Sequence, residues 1–312
     1  MKKIWTMLKQ TITSFSDDNG MKLSASLSYY TIFSIAPLLM IAISLAGFFF
    51  GEQAVQGKVY FQLRTLISDA AASQIQDIIK NMHRTHTSFT NSIIGIVILF
   101  VGASSVFLEI QDSMNYIWGI KAKPKKNLIR FVNNRLLSFS LILGMGFILM
   151  VSLFLNTLID LLSDRLHAYF NNSLIYFTYC VNIVIVLGIT SLLFSIIFKV
   201  LPDIVIRWKD AFVGAFVTSI LFLLGKFAIG FYIGHASVNL TYGAASAVVV
   251  ILLWVYYASV ILYIGAEFTK VYTYTMGHGA KPNETAVFIV KEKPEELPKG
   301  SAPPPIIQET KA

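Results

Sequence analysis

Long apolar runs alternate with short polar segments along this chain. The run from Thr241 to Lys270 sets the pattern, since between Ala244 and Ala266 it holds no charged residue. About 20 apolar residues cross a hydrocarbon core as a helix, because lipid offers backbone N–H and C=O groups no partner but one another. The same criterion predicts six spans: Ser28–Phe50, Ser92–Leu108, Leu136–Ile159, Leu174–Phe198, Ala211–Ile233 and the run from Ala244 onward. Within the first, Pro37 removes one helical hydrogen bond and predicts a structural kink beside Ser34 and Ala36. Trp254 and Tyr256-Tyr257 sit near the middle of the last, Tyr242-Gly243 opens it, and Gly265-Ala266-Glu267 places a carboxylate just inside its far end. Small residues at that end let a neighbouring helix approach closely.

The remaining pattern is amphipathic or polar. Residues 1–24 read as a cytoplasmic amphipathic segment, a helix with Ile4, Trp5, Leu8 and Ile12 on one side, followed by the turn Asp17-Asp18-Asn19-Gly20. Residues 25–274 form the transmembrane domain. Within it, 52–90 is an extracytoplasmic helical insertion, with Val55, Val59, Leu63 and Ile67, then Ile75, Ile78, Ile79 and Met82, at helical spacing. Residues 275–312 are rich in Pro, Lys and Glu, a composition that buries no core and predicts a disordered cytoplasmic tail.

Composition agrees with the pattern: 55% of the 312 residues are hydrophobic and 13% charged, too apolar for an ordinary soluble domain. The predicted fold is therefore all-α, a polytopic integral membrane protein with six transmembrane helices plus amphipathic extramembrane helices. The net charge of +8 informs through its positions. Lys121, Lys123, Lys125, Lys126, Arg130 and Arg135 follow one another with no acid among them. With Lys2, Lys3, Lys9, Lys22, Lys199, Arg207, Lys209 and the tail lysines they share one side, against Lys58, Arg64, Lys80, Arg84 and Arg165 on the other. The positive-inside rule then puts both termini in the cytoplasm of a membrane protein that crosses several times. Lys2-Lys3 precede no continuous apolar h-region, so no signal peptide is expected. Cys180 is the single cysteine, which excludes an intramolecular disulfide.

Candidate chemistry is sparse. HExxH, GxSxG, P-loop and cysteine-pair patterns are all missing, so the reading is a non-enzyme with no catalytic residue, metal or cofactor. His83 and His86 lie three apart, but two ligands alone describe a solvated helix face better than a metal site. The basic loop Lys121–Arg135 lacks the interleaved aromatics of a nucleic-acid platform; membrane lipids with anionic headgroups are its expected partners. A homo-oligomer is left open. Trp208, between Arg207 and Lys209, reads as an interfacial anchor.

Charges inside spans carry the functional signal, because they usually face the protein interior and mark a substrate or ion path. Lys226, Glu267, Glu109, Asp112 and Asn115 are the substrate-path candidates, while Pro37, Trp208, Tyr242, Gly243, Trp254 and Gly265 are the structural motif. For Glu109 and Glu267 the alternative is an ion-paired helix end, with Arg130, Arg135 and Lys270 as possible partners. Lys226 lies about 22 Å into an outward-running span, so a direct pair with Glu267 is not expected. Its own alternative is snorkelling towards the interface.

Taken as a set, several of these residues resemble the YihY/BrkB family of bacterial inner-membrane proteins, formerly described as ribonuclease BN. The set comprises Ala25-Ser26-Leu27-Ser28-Tyr29-Tyr30 with Ser34–Pro37, Asn115 with Trp118, and Trp208 followed by Gly214-Ala215. It continues through Tyr242-Gly243, Leu253-Trp254-Val255-Tyr256 and Gly265-Ala266-Glu267, so that the resemblance covers residues 15 to 275. It implies six transmembrane helices and a membrane location, and brings no settled biochemical activity. With no hydrolytic site in view, ribonuclease activity is disfavoured. The functional expectation is a transporter or translocator of a small solute or lipid, with a non-transporting membrane scaffold as the alternative.

Overall fold

The computed structural model describes residues 2–34, 73, 105–122, 173–235, 246–284 and 286–289. Pro37, Tyr242, Gly243, the third predicted span, the insertion 52–90 apart from residue 73, and the basic loop beyond residue 122 lie outside the described residues. The elements in chain order are α1 (Lys2–Asp17), α2 (residues 20–34), α3 (residues 105–117) and β1 (Ile120–Ala122). They continue as α4 (Ser173–Val200), β2 (Ile204–Val205), α5 (Trp208–His235) and α6 (Ser246–Thr275), then β3 (Lys281–Pro282) and β4 (Ala286–Phe288).

The fold is predominantly helical. Among the described residues, three helices contain stretches long and apolar enough to cross a membrane, Ile183–Val200 in α4, Trp208–Tyr232 in α5 and Val248–Thr275 in α6. They correspond to the fourth, fifth and sixth predicted spans. Each helix outruns the apolar run that announced it; α5 takes Trp208 and Lys209 into its first turn, and α6 continues five residues past Lys270. Asp210 in the first turn of α5 suits the positive end of the helix dipole.

α5 packs between α4 and α6, and α1 lies against α6. The α5–α6 contact is built on a short repeated pattern: Gly214-Ala215-Phe216-Val217-Thr218 on α5 and Gly265-Ala266-Glu267-Phe268-Thr269 on α6. The helices run antiparallel, and the two patterns interlock. A Cβ on Gly214 would overlap the Thr269 side chain, and a Cβ on Gly265 would overlap that of Thr218. Each threonine in turn donates its hydroxyl to the carbonyl of the glycine four residues before it, both at 2.7 Å. The hydroxyls are thereby satisfied without water, even though Oγ1 is the threonine atom that lies closest to the opposite glycine. Ala215 and Ala266, next to the glycines, are also buried. Two turns further along α5, Gly225 takes the Tyr257 ring in the same way.

One end of this bundle is capped by a core in which Phe15, Met114, Ile117, Trp118, Phe198 and Tyr263 meet. The tail takes part in the cap. The polar composition after residue 275 predicts disorder, but residues 276–284 and 286–289 are built into the fold. α6 ends with the Met276 and Gly277 amides both bonded to the Tyr272 carbonyl, and Gly279, at φ 74°, turns the chain back. β3 then pairs antiparallel with β2, and β4 with β1 in the register Ile120↔Phe288, Lys121↔Val287 and Ala122↔Ala286. Ladders of two or three residues are too short to leave a period in the sequence. The signal that existed was the apolar run Ala286-Val287-Phe288-Ile289 within the polar tail.

The interlocked seam predicts a sharp contrast between glycines. Gly265→Val and Gly214→Val each force a branched side chain into a threonine held by its own backbone bond, at an expected cost of about 1 to 3 kcal/mol. Gly188→Ala, where nothing lies within 4 Å of the added carbon, is expected to be neutral. Thermal unfolding of purified protein in detergent measures both; a Gly265→Val protein that melts with the wild type would contradict the seam.

Candidate functional site

The seam determines which way Glu267 points. Phe216 and Glu267 hold the same place in the repeated pattern, third after the glycine is counted first, yet Phe216 is 41% exposed and Glu267 is completely buried. The difference is made by α1, the turn after it, and the end of α3, which cover α6 and leave the corresponding side of α5 open.

Lys270, one turn on, is the centre of what covers it. Its ammonium donates to Glu267 Oε2 at 2.9 Å, to the Ile117 carbonyl at 2.8 Å and to Asp18 Oδ2 at 3.4 Å. An ammonium has three N–H donors, and three acceptors surround this one. The Ile117 carbonyl belongs to the last turn of α3, where carbonyls lack intrahelical partners. Asp18 sits in the turn between α1 and α2. That turn is made by Asn19 at φ 54°, a left-handed conformation that asparagine tolerates, and by Gly20, whose hydrogen lies against the Phe15 ring where a side chain would not fit. One lysine therefore ties together the α1–α2 turn, the end of α3 and α6.

Burial is graded across the group. The side chains of Lys270, Asp18 and Glu267 are 22%, 9% and 0% exposed. Two carboxylates face a single ammonium, and Glu267 Oε1 meets no hydrogen-bond donor among the described residues. A carboxylate oxygen in that position is costly when ionised and suits a proton or a polar guest.

A second polar group lies beside the first, between α3 and the turn after α4. Asn115 and Asp203 bond reciprocally: Asn115 Nδ2 donates to Asp203 Oδ2 at 2.9 Å, and the Asp203 amide donates to Asn115 Oδ1 at 2.8 Å. Gln111 adds a longer contact to Asp203 Oδ1 at 3.5 Å, and the Asn283 amide from the tail bonds the Asp203 carbonyl. Lys199 donates to the Ile206 carbonyl and closes the same turn. Asp112 stands at the protein surface nearby. The atoms packed around its carboxyl exclude enough water to raise its pKa above the ordinary value, and the like charges of Glu109 and Asp203 add to this. Asp210, buried at the start of α5, accepts from the His278 amide at 3.3 Å and lies 3.6 Å from the His278 ring nitrogen. It thus fixes the start of the tail.

Of the residues singled out by sequence, Glu267 and Asn115 fall in these two groups, and Gly265 in the seam. Glu109 and Asp112 lie on α3 beside them. Lys226 does not join. It is half-buried on α5, eight residues or about 12 Å past Thr218, and engages a partner of its own. Trp254 is buried and stacks edge-on against Phe222, whereas Trp208 is exposed at the start of α5. Arg130 and Arg135, the other partners considered for Glu267, lie outside the described residues. Asp18, Asp203 and the Ile117 carbonyl were not foreseen, since a residue in a turn and a backbone oxygen carry no mark of a distant partner.

The profile of the virulence factor BrkB family matches residues 11–288. The chain belongs to this family. The match reaches past Tyr274, so β3 and β4 are part of the family's extent and correct the narrower range of residues 15 to 275. BrkB-family relatives are named membrane proteins. A UPF0761 membrane protein of Chromobacterium violaceum is 29% identical over 265 residues, covering 82% of this chain and 59% of the relative. One of Alcanivorax borkumensis is 27% identical over 266 residues, covering 83% and 58%. One of Pseudoalteromonas atlantica is 27% identical over 274 residues, covering 86% and 87%. The chain thus spans less than two thirds of the first two relatives' length. No solved structure matches it.

The reciprocal bonds of Asn115 yield an ordered prediction. Asn115→Ala strands the Asp203 amide and removes a donor from its carboxylate, an expected loss of about 1 to 3 kcal/mol. Asn115→Asp keeps the size and adds a negative charge against Asp203, so it should melt lower than Asn115→Ala at pH 8. Scanning fluorimetry of the two variants tests the order, and the reverse order would contradict the reciprocal pair.

Proposed function

We propose that this BrkB-family membrane protein is a translocator of a small solute or lipid in the bacterial plasma membrane, crossing it several times with both termini in the cytoplasm. The observation that carries the reading is Glu267. It is fully buried in a helix of span length and, among the described residues, shares one cation with Asp18 and keeps one oxygen without a donor. Buried ionisable groups in spans are expensive, and a path or ion relay is the usual reason they persist. In this reading the carboxylate pair holds one proton between Asp18 and Glu267, and gaining or losing it changes how firmly the α1–α2 turn is held to α6. Lys226 is a separate attraction for an anionic group of the cargo, deeper along α5. A homo-oligomer and contact of Lys121–Arg135 with anionic headgroups belong to the same proposal.

The alternative is a non-transporting scaffold. It is favoured by the completeness of the clamp around Lys270, which would serve as well to hold a rigid cap together. Reconstitution into liposomes with anionic, zwitterionic and lipid cargoes separates the two, since only a translocator gives uptake or flipping that depends on the protein. Glu267→Gln keeps the shape and one acceptor for Lys270; it is expected to fold with near-normal yield and to lose proton-dependent movement of cargo. Lys226→Met should abolish movement of anionic cargo, and Lys226→Arg should retain part of it. Wild-type protein that moves no member of the panel leaves the scaffold standing.

A further inference from the structure

α1 divides into three faces, and only two are accounted for by packing and solvent. Met7, Thr11 and Phe15 form the first, and all three are buried. Met7 packs with Phe268 and Val271 of α6 and against Val213 and Val217 of α5. Thr6, Lys9, Gln10, Thr13 and Ser16 lie on the opposite side and form a polar face. Between them, at about 100° per residue, Ile4, Leu8, Ile12 and Trp5 fall in one sector roughly 100° wide. Among the described residues nothing covers this sector: Trp5 is 72% exposed, Ile12 67%, Ile4 60% and Leu8 41%.

What covers it follows from where α1 sits. Its contacts on α5 and α6, at residues 213–217 and 268–272, lie in the first turns of one span-length stretch and the last turns of the other. That is the level at which such helices leave the hydrocarbon. The exposed apolar residues of α5 at this level, Phe212 and Phe216, lie next to Val213 and Val217 and continue the same surface. Lys3 and Lys9 are exposed on the helix, and Asp17, at its far end, is its sole acidic residue. An apolar sector with tryptophan, uncovered among the described residues, flanked by Lys9 and lying at the level where α5 and α6 leave the hydrocarbon, is matched to the headgroup–acyl boundary.

We propose that α1 is an anionic-lipid-binding helix, lying in the leaflet surface with Ile4, Trp5, Leu8 and Ile12 sunk beneath the headgroups and Lys9, at the border of that sector, on anionic phospholipid. This inference rests on membrane residence and not on the translocation reading. Each lysine near an anionic surface contributes on the order of 1 kcal/mol, so lipid charge should alter how deeply the helix sits.

The test uses the full chain in vesicles of phosphatidylcholine with or without phosphatidylglycerol, carrying bromine near the headgroup or deep in the acyl chain. The emission of the wild type minus that of Trp5→Phe is the signal of Trp5. It is expected to be quenched more by shallow than by deep bromine, and more in anionic vesicles. Replacing Lys9 by Gln should reduce the anionic excess about two-fold or more, and Lys3→Gln, on the side turned away from the leaflet, should reduce it less. A spin label at Ile12→Cys, in a Cys180→Ser background, should meet oxygen and be shielded from a water-soluble nickel chelate, with the reverse at Thr13→Cys. Trp5 unquenched by either bromine, or a label at position 12 open to nickel, overturns lipid burial. Equal quenching in neutral and anionic vesicles overturns the role of charge.

Discussion

The close approach of α5 and α6 at Gly214–Thr269 and Thr218–Gly265 is the constraint on which the remainder of the described structure rests. Lipid gives apolar helices no hydrophobic reason to associate, so packing and hydrogen bonding must hold them. Two glycines bring the backbones together, and two threonines fill the space they leave while keeping their hydroxyls bonded within their own helices. With the rotation of α6 fixed in this way, Glu267 must lie to one side of the seam. A carboxylate there cannot face hydrocarbon, so its side of α6 has to be covered. The α1–α2 turn, the end of α3 and Lys270 supply that cover.

Much of this was legible in the chain, and the limits of legibility have physical causes. The spans α4, α5 and α6 could be read because lipid imposes length and apolarity directly on sequence. The turn Asp17-Asp18-Asn19-Gly20 could be read because the left-handed residue there must be of a tolerant type, and Asn19 is. The value of Gly265-Ala266-Glu267 as a packing motif was also visible. Its counterpart on α5 entered only as Gly214-Ala215 in the family resemblance, since a match between two helices depends on their antiparallel register. Partners of buried charge were harder still. Lys270 was within reach as a helix neighbour of Glu267, but Asp18 lies 252 positions from Lys270, and Ile117 contributes only a carbonyl.

The tail illustrates the opposite error. Its average composition predicts disorder, and an average over 38 residues conceals one short apolar run. Ala286 is buried in the pair with Ala122, and the Asn283 amide reaches the Asp203 carbonyl, so a few backbone bonds to edges already present order the segment. Asp210 and His278 hold its beginning. Local compositional bias is a weak guide wherever a chain can complete a sheet edge that another element offers.

The contacts of Lys270 are unequal, and the inequality decides how the clamp would open. Its bonds to Glu267 and Ile117, at 2.9 and 2.8 Å, have the length of good charge-assisted hydrogen bonds, and the Glu267 partner is wholly shielded from water. The contact with Asp18 is longer at 3.4 Å, and the Asp18 side chain is 9% exposed against 0% for Glu267. Breaking the first pair loses a short bond to a fully buried carboxylate; breaking the second loses a longer contact and leaves the bonds to Glu267 and Ile117 in place. Asp18 is therefore the contact that yields first, and it is joined directly to α1. A force on α1 from the leaflet surface would be felt at Lys270 before it reached the seam, which makes the α1–α2 turn the place where conditions at the membrane surface can act on the buried carboxylate.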